Sequence, residues 1–401
     1  MKNLIFVLAT FILGLTVNPV HAQWEQVNNG LTNPNVYSMA VSGTMLFAGT
    51  MGGGVFRSTD NGDSWIAVNT GLSNLLIQSL AVSGVNLFAG TYAGVFRSTN
   101  NGLSWTLASS GMSYVQDIAV YGTNIIAGTS FGGVFISTDT CATWSAANNG
   151  LTNLYVVSFY VSGTNIFAGT FDGVFLSTDT CASWVAVSNG IPYTQGNRII
   201  TAITSIGTNL FAGNSDGGGV YRSNDNGTSW TTVNNNLQCK HVGSFATYGT
   251  NIFAGTDTYC GVFRSNDNGA NWLPTCGSGL GNAGVTALII SEPYIFAGTY
   301  GPGVWRGSVT QMTATEENSD NTLLMLYPNP SNGKFSLEFS RDSQRETVSV
   351  DIYGIRGEKI LTETLNGERK HEFSLSDRPT GVYFIRVISG DKAETVKIVK
   401  Q

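Results

Sequence analysis

Through most of the chain, apolar and polar positions alternate in short runs, each closed by Gly, Asn, Ser or Thr. One unit reads Ser38-Met39-Ala40-Val41-Ser42-Gly43, then Leu46-Phe47-Ala48-Gly49-Thr50, then Gly54-Val55-Phe56-Arg57, then Trp65-Ile66-Ala67-Val68. A period of two over runs this short predicts β-strands joined by tight hairpins and leaves no room for an amphipathic helix. The unit therefore holds four strands, numbered here from the centre outward.

The unit recurs. Trp24, Trp65, Trp105, Trp144, Trp184, Trp230 and Trp272 are separated by 41, 40, 39, 40, 46 and 42 residues. Phe-Ala-Gly occurs six times, Ile126-Ala127-Gly128 stands in for a further copy, and Gly-Val-aromatic occurs seven times between Gly54 and Gly303. A repeat of this length marks a propeller or a solenoid. The phase decides between them. Trp24-Glu25-Gln26-Val27 is a fourth strand with no first strand before it, and the last unit stops after its third strand, Gly303-Val304-Trp305-Arg306. Each end supplies what the other lacks. The expectation is an all-β, seven-bladed propeller whose N-terminal strand completes the last blade, which removes open sheet edges.

Composition then divides the chain. Of 401 residues 49 are Gly and only 11% are charged, which excludes a coiled coil, a solvated disordered chain and a basic nucleic-acid binder. Residues 24–306 carry 7 basic and 12 acidic side chains, whereas residues 307–401 carry 12 and 14 in a third of the length. Met1-Lys2-Asn3, the apolar stretch Leu4 to Val17 and the small residues of Val20-His21-Ala22 read as a signal peptide cut before Gln23, too short to span a bilayer. The expected organisation is a signal peptide at 1–22, a propeller at 23–306, a linker at 307–325 and a small β-sandwich at 326–401.

Between third and fourth strands lies Ser-x-Asp-x-Gly-x-Ser/Thr-Trp. The copies are Ser58, Asp60, Gly62 and Trp65; Ser98, Gly102 and Trp105, with Asn100 for Asp; Ser137, Asp139 and Trp144; Ser177, Asp179 and Trp184; Ser223, Asp225, Gly227 and Trp230; and Ser265, Asp267, Gly269 and Trp272. Cys141 and Cys181 replace Gly in the third and fourth copies. The motif resembles the Asp-box, or bacterial neuraminidase repeat, of sialidases, xyloglucan-active hydrolases and many non-enzymatic propellers. That resemblance implies a structural role, with the short polar side chains bonding turn amides and Trp packing inward. The motif lacks the acidic ligands and terminal Glu of a calcium loop.

The tail carries a second resemblance. Leu326-Tyr327-Pro328-Asn329-Pro330, Gly333, Val350-Asp351-Ile352-Tyr353, Pro379-Thr380-Gly381-Val382-Tyr383-Phe384 and the terminal Lys397-Ile398-Val399-Lys400-Gln401 are similar to the type A C-terminal sorting domain of the type IX secretion system of Bacteroidota. Of these, Tyr327, Pro328, Asn329, Pro330, Gly381, Tyr383 and Lys397 form the sorting motif. The resemblance implies the type IX translocon as partner, passage through the periplasm, and secretion or attachment at the outer-membrane surface.

Candidate chemistry falls in the loops opposite the boxes, where a rigid scaffold carries function. Tyr92, Phe131, Phe171, Tyr259 and Tyr300 place an aromatic residue in each of five blades, suited to stacking on sugars or to contacting a protein. Asp172, Asp216 and Asp257 are the acids available to a xyloglucanase-like hydrolase, the alternative to a non-catalytic binding propeller; such an enzyme needs two carboxyls about 5–9.5 Å apart. Asp117, Glu292, His241 and Arg198 share no spacing with them. A sialidase arginine triad cannot be assembled, because Arg57, Arg97, Arg222, Arg264 and Arg306 all occupy one repeat position and only Arg198 remains. No clustered His and Cys point to a metal, no cofactor is expected, and a nucleic-acid partner is excluded by charge. The propeller is expected to be monomeric. Cys260 and Cys276 flank the outer hairpin of the sixth blade and are the first-choice disulfide, with Cys239–Cys260 second; Cys141 and Cys181 are expected to be free.

Overall fold

Val36–Ser42, Met45–Thr50, Gly54–Ser58 and Ile66–Ala67 pair antiparallel in that order, and six further sheets repeat the arrangement. The computed structural model describes residues 24–109, 111–194, 196–257, 260–275, 280, 283–313, 324–327, 331–339, 347–366, 370–389 and 392–400. These fall into two units, Met1–Ala314 and Thr315–Gln401. In the first, the innermost strands Val36–Ser42, Ile77–Ser83, Val115–Tyr121, Val156–Ser162, Ile200–Ile206, Val242–Tyr248 and Gly284–Ser291 neighbour one another in chain order, and the last lies beside the first. The sheets are seven propeller blades. Glu25 pairs with Arg306 and Gln26 with Trp305, so the N-terminal strand is the outer strand of the seventh blade, as the phase of the repeat requires.

The apolar pattern follows from this packing. Second strands such as Leu46-Phe47-Ala48-Gly49-Thr50 are buried throughout, because each is enclosed by the neighbouring blades. Gly49 is small for the same reason: a Cβ there would lie 2.5 Å from the Ile77 side chain of the next blade. The equivalent Gly298 faces Val36 across the ring closure at 2.6 Å.

The repeated polar residues join one blade to the next. Each box Trp donates its indole N–H to a backbone carbonyl of the preceding outer strand: Trp65 to Val27 (2.8 Å), Trp105 to Val68 (2.8 Å), Trp144 to Ala108 (2.7 Å), Trp184 to Ala147 (2.8 Å), Trp230 to Val187 (2.7 Å) and Trp272 to Val233 (2.8 Å). The periodic arginines point the other way. Arg57 reaches the Asn101 carbonyl in the next box (3.2 Å), Arg97 reaches Thr140 (3.2 Å), Arg222 reaches Asn268 (3.0 Å), and Arg306 closes the ring on Asn61 (2.8 Å). Their scaffold role is thereby explained.

Within a box, Ser58 Oγ donates to Asp60 (2.7 Å) and accepts from the Gly62 amide (2.8 Å), while Asp60 accepts from the amide and hydroxyl of Ser64 (2.9 and 2.5 Å). In the third box the bonds from Thr143 hold the Asp139 carboxyl down at about 2, against an ordinary value of 3.8. The folded pKa lies below the unfolded one. The ionised form therefore contributes stability that is complete above pH 3.8 and is lost as pH falls toward 2. Urea midpoints are expected to drop over that interval, and Asp139→Asn should flatten the drop; an identical profile for wild type and variant would refute the assignment.

The strand expected to stop at Arg306 continues to Ser308 and leads into a helical turn, Val309–Thr313, with Val309 and Met312 buried. Composition had placed these residues in the linker; their apolar side chains pack beside Trp24 instead. The tail unit holds a three-stranded sheet (Leu324–Tyr327, Lys334–Phe339, Lys370–Ser374) and a four-stranded one (Lys359–Asn366, Thr347–Gly354, Gly381–Ser389, Lys392–Lys400). Phe335, Leu337, Phe373, Val350, Ile352, Ile385 and Ile398 from both sheets share one core, which makes it a sandwich.

Candidate functional site

The face opposite the boxes is formed by the second-to-third loops and the connections between blades. Aromatic rings follow one another across it. Tyr92 lies 5.0 Å from Tyr114 centroid to centroid, Tyr114 5.7 Å from Phe131, Phe131 5.8 Å from Tyr155, and Tyr155 stacks on Phe171 at 3.8 Å. This run covers blades two to four. Phe131 is 71% exposed and Tyr114 43%, a large apolar surface to leave in water. Tyr114 holds a left-handed backbone (φ 54°), which a bulky side chain rarely adopts; its amide donates to the Tyr92 carbonyl (3.1 Å) and its carbonyl accepts from Ser130 (3.1 Å). Tyr37 and Tyr300 form a separate edge-to-face pair at 6.2 Å. Tyr259 lies outside the described residues.

The loop acids do not converge as a set. Asp172 is ion-paired with Arg198 (3.2 Å), accepts from the Tyr193 hydroxyl (2.6 Å), and the same guanidinium lies over the Tyr193 ring at 4.2 Å. A carboxylate held this way is committed to its two partners and is not free to swing onto a substrate. Arg198, the arginine outside the repeat, has its role here. Asp216 receives no hydrogen bond on Oδ2, and its amide donates to Asn214 (2.8 Å). Asp257 is exposed as a residue, yet partial burial of its carboxyl raises its pKa, with His241 opposing the shift. It lines a cleft of about 290 Å³ with Tyr37, Gly284, Thr286 and Tyr300. His241 turns Nδ1 to the Ser215 carbonyl.

Asp117 is a joint in the scaffold. It takes the first-strand position held by Ser38 and Ser79 in the preceding blades, and it accepts from Ser79 Oγ (3.0 Å), the Ile118 amide (2.9 Å) and the Phe159 amide of the next blade (2.7 Å). Burial nevertheless pushes its carboxyl up to about 6. The sign is opposite to that of the boxes: stability from this group is complete below pH 3.8 and is lost as pH rises through 6. Asp117→Asn is expected to remove that decline between pH 4 and 6 in urea titrations, whereas a decline that survives the substitution would have another origin.

The disulfide is Cys239–Cys260, with Cα atoms 6.2 Å apart, in place of the first-choice Cys260–Cys276. Cys239 precedes the first strand of the sixth blade and Cys260 precedes its third, so both loops lie on the same face of one sheet. Cys276 lies outside the described residues. Cys141 and Cys181 are free and buried, at φ 71° and 66° where other boxes carry Gly, and burial pushes each thiol up to about 12.

Tyr37, Tyr114, Tyr155 and Tyr193 complete the aromatic surface and were not among the candidates read from the sequence. Tyr114 and Tyr155 directly precede the Val that opens a first strand, in connections that topology puts on this face. That adjacency was the available signal. In the tail, Gly381, Tyr383 and Lys397 stand on the last two strands, and the Tyr383 hydroxyl donates to the Pro379 carbonyl (2.6 Å). Tyr327 ends the first tail strand, while Pro328, Asn329 and Pro330 lie outside the described residues.

Residues 325–401 match the secretion system C-terminal sorting domain family, which indicates export through type IX secretion to the cell surface or outside. No curated protein matches the chain in sequence. Among solved structures, the extracellular domain of a hybrid two-component system protein from B. thetaiotaomicron superposes with a TM-score of 0.57 at 13% identity, covering 95% of this chain and 59% of its own. The chain thus spans less than two thirds of that protein. The GH74 xyloglucanase of Xanthomonas campestris gives 0.55 at 15% identity, with 93% and 75% covered. YCF48 from Cyanidioschyzon merolae gives 0.54 at 16%, with 71% and 98% covered. At such identities the likeness establishes the propeller fold alone.

Proposed function

We propose that this protein is a non-catalytic propeller, delivered to the periplasm by its signal peptide and exported by the type IX system, that binds an extracellular glycan or protein through the face opposite the boxes. The observation that carries the reading is the aromatic run from Tyr92 to Phe171, in which contacting rings are arrayed across three blades on a rigid frame. Only Phe131 and Tyr114 of the run are exposed, with Tyr92, Tyr155 and Phe171 half-buried around them, and rings fixed in this way offer stacking area at little entropic cost. Locking of Asp172 by Arg198 and Tyr193 argues against a paired-carboxylate hydrolase built on that residue. Asp257 is the acid on which the hydrolase reading would rest, because its pKa is raised.

Purified protein screened against polysaccharides and envelope fractions is expected to retain a ligand without releasing reducing sugar. Phe131→Ala should weaken that retention about tenfold while leaving the melting temperature unchanged, since a buried stacking contact contributes about 1–2 kcal/mol and Phe131 is exposed in the free protein. Sugar release would support the hydrolase, and full retention by the variant would remove the aromatic run from the site.

A further inference from the structure

Among the described residues three cations lie over a tyrosine ring, and each is also held by a carboxylate. Arg198 lies 4.2 Å from the Tyr193 centroid and pairs with Asp172 at 3.2 Å. Arg306 lies 4.8 Å from Tyr294 and pairs with Glu25 and Asp63 at 3.0 and 2.7 Å. Lys359 lies 5.5 Å from Tyr353 and pairs with Asp351 at 3.0 Å. Ring quadrupole and carboxylate both attract the same positive group, the ring through its face and the carboxylate through charge-assisted hydrogen bonds.

The cleft between the sixth, seventh and first blades presents the same two components. Tyr37 and Tyr300 meet at an interplanar angle of 77° and line it together with Asp257. Asp257 takes the loop position that Tyr92, Phe171 and Tyr300 hold in the second, fourth and seventh blades, and that Met51, Ser130 and Ser215 hold in the others, so a carboxylate stands where three blades put a ring. Among the described residues no cation forms an ion pair with it. Tyr300 is 54% exposed, so the cleft is open to a ligand.

Resting on the reading that this face is the ligand surface, we propose that the cleft binds the guanidinium of an arginine side chain presented by a partner polypeptide, with Asp257 as the carboxylate and Tyr37 and Tyr300 as the aromatic walls. A planar guanidinium fits better than an ammonium, because it stacks on a ring while its N–H groups address a carboxylate. Both cations that the propeller itself holds in this way are arginines. The volume of about 290 Å³ accommodates one side chain, so the rest of the partner would lie across the neighbouring loops.

The test uses the full chain and saturation-transfer NMR with a short peptide carrying one arginine, the same peptide carrying citrulline, and a glucosamine oligomer. The arginine peptide is expected to bind saturably, with citrulline about tenfold weaker because only the charge is removed. Asp257→Asn and Tyr300→Leu should each weaken the arginine peptide about tenfold. Tyr300 is 54% exposed and Asp257, though its carboxyl is partly buried, lies in an exposed loop position, so the melting temperature should stay close to that of the intact protein. Phe131→Ala should leave peptide binding intact. Equal binding of the citrulline peptide, unchanged affinity in Asp257→Asn, or binding of the glucosamine oligomer in place of the peptide would each overturn the proposal. The aromatic-run reading falls separately, through retention by Phe131→Ala in the polysaccharide and envelope screen.

Discussion

A chain lacking residues 24–31 is expected to melt at least about 15 °C below the intact protein, or not to fold at all. The segment contributes Trp24, Val27 and Leu31 to the core, each 8% exposed or less. Burial of three such side chains corresponds to about 1.5–3 kcal/mol apiece. Hydrogen bonds add to this: Val27 N to the Val304 carbonyl (2.9 Å), Val304 N to Asn28 Oδ1 (2.7 Å), and the Trp65 amide and indole to Asn29 and Val27 (both 2.8 Å), each worth about 1 kcal/mol. The total is comparable to the whole stability of a typical domain, about 5–15 kcal/mol. Scanning calorimetry decides the matter. A truncated chain melting within about 3 °C of the intact one would mean that the ring does not depend on its N-terminal strand.

The second large effect is expected at one glycine. Gly150 follows the outer strand of the third blade at φ 81°, and a Cβ there would lie 2.2 Å from the Trp184 carbonyl oxygen. The adjoining bond from the Trp184 amide to the Asn149 carbonyl (2.8 Å) would have to open to make room. Gly150→Ala should therefore cost about 3–5 kcal/mol, combining left-handed strain with loss of a blade joint. Gly163 has a similar φ of 60° but nothing within 4 Å of its virtual Cβ, so Gly163→Ala should cost only about 1–2 kcal/mol. Equal losses at the two positions, measured by urea denaturation, would show that the close approach to Trp184 does not matter.

The ring was legible in the sequence because its cause is local and repeated. Alternation marks each strand, Phe-Ala-Gly marks the strand enclosed by its neighbours, and the orphan strands at either end permit one closure. The boxes were legible for the same reason, since every bond in them spans at most a few residues. The loop face opposite the boxes was legible only in part. Tyr92 and Phe171 occupy matching repeat positions after the second strand; Tyr114 and Tyr155 occupy another, before the first strand, but at the end of connections that vary in length and composition. The pairing of Asp172 with Arg198 joins two blades across 26 residues, and no spacing rule anticipates it. The disulfide is the second choice of the sequence reading: the hairpin register favoured Cys276, whereas Cys239 and Cys260, whose loops share one face of the ring, are the pair that forms. Box glycines could be placed by turn chemistry, but the tolerance for Cys141 and Cys181 could not. A buried space beside the preceding blade accepts a thiol there despite the backbone conformation.

Ring closure also fixes the order in which the molecule can be completed. Glu25 meets Arg306 across 281 residues, so the earliest segment of the propeller to leave the ribosome is the partner of the latest. Until Gly303–Ser308 has emerged, that segment has no strand to pair with, and the nascent chain carries an unfinished sheet. Such high contact order slows folding and prolongs the exposure of an unpaired edge. The last blade is completed only just before the sorting domain that marks the chain for type IX secretion has been made.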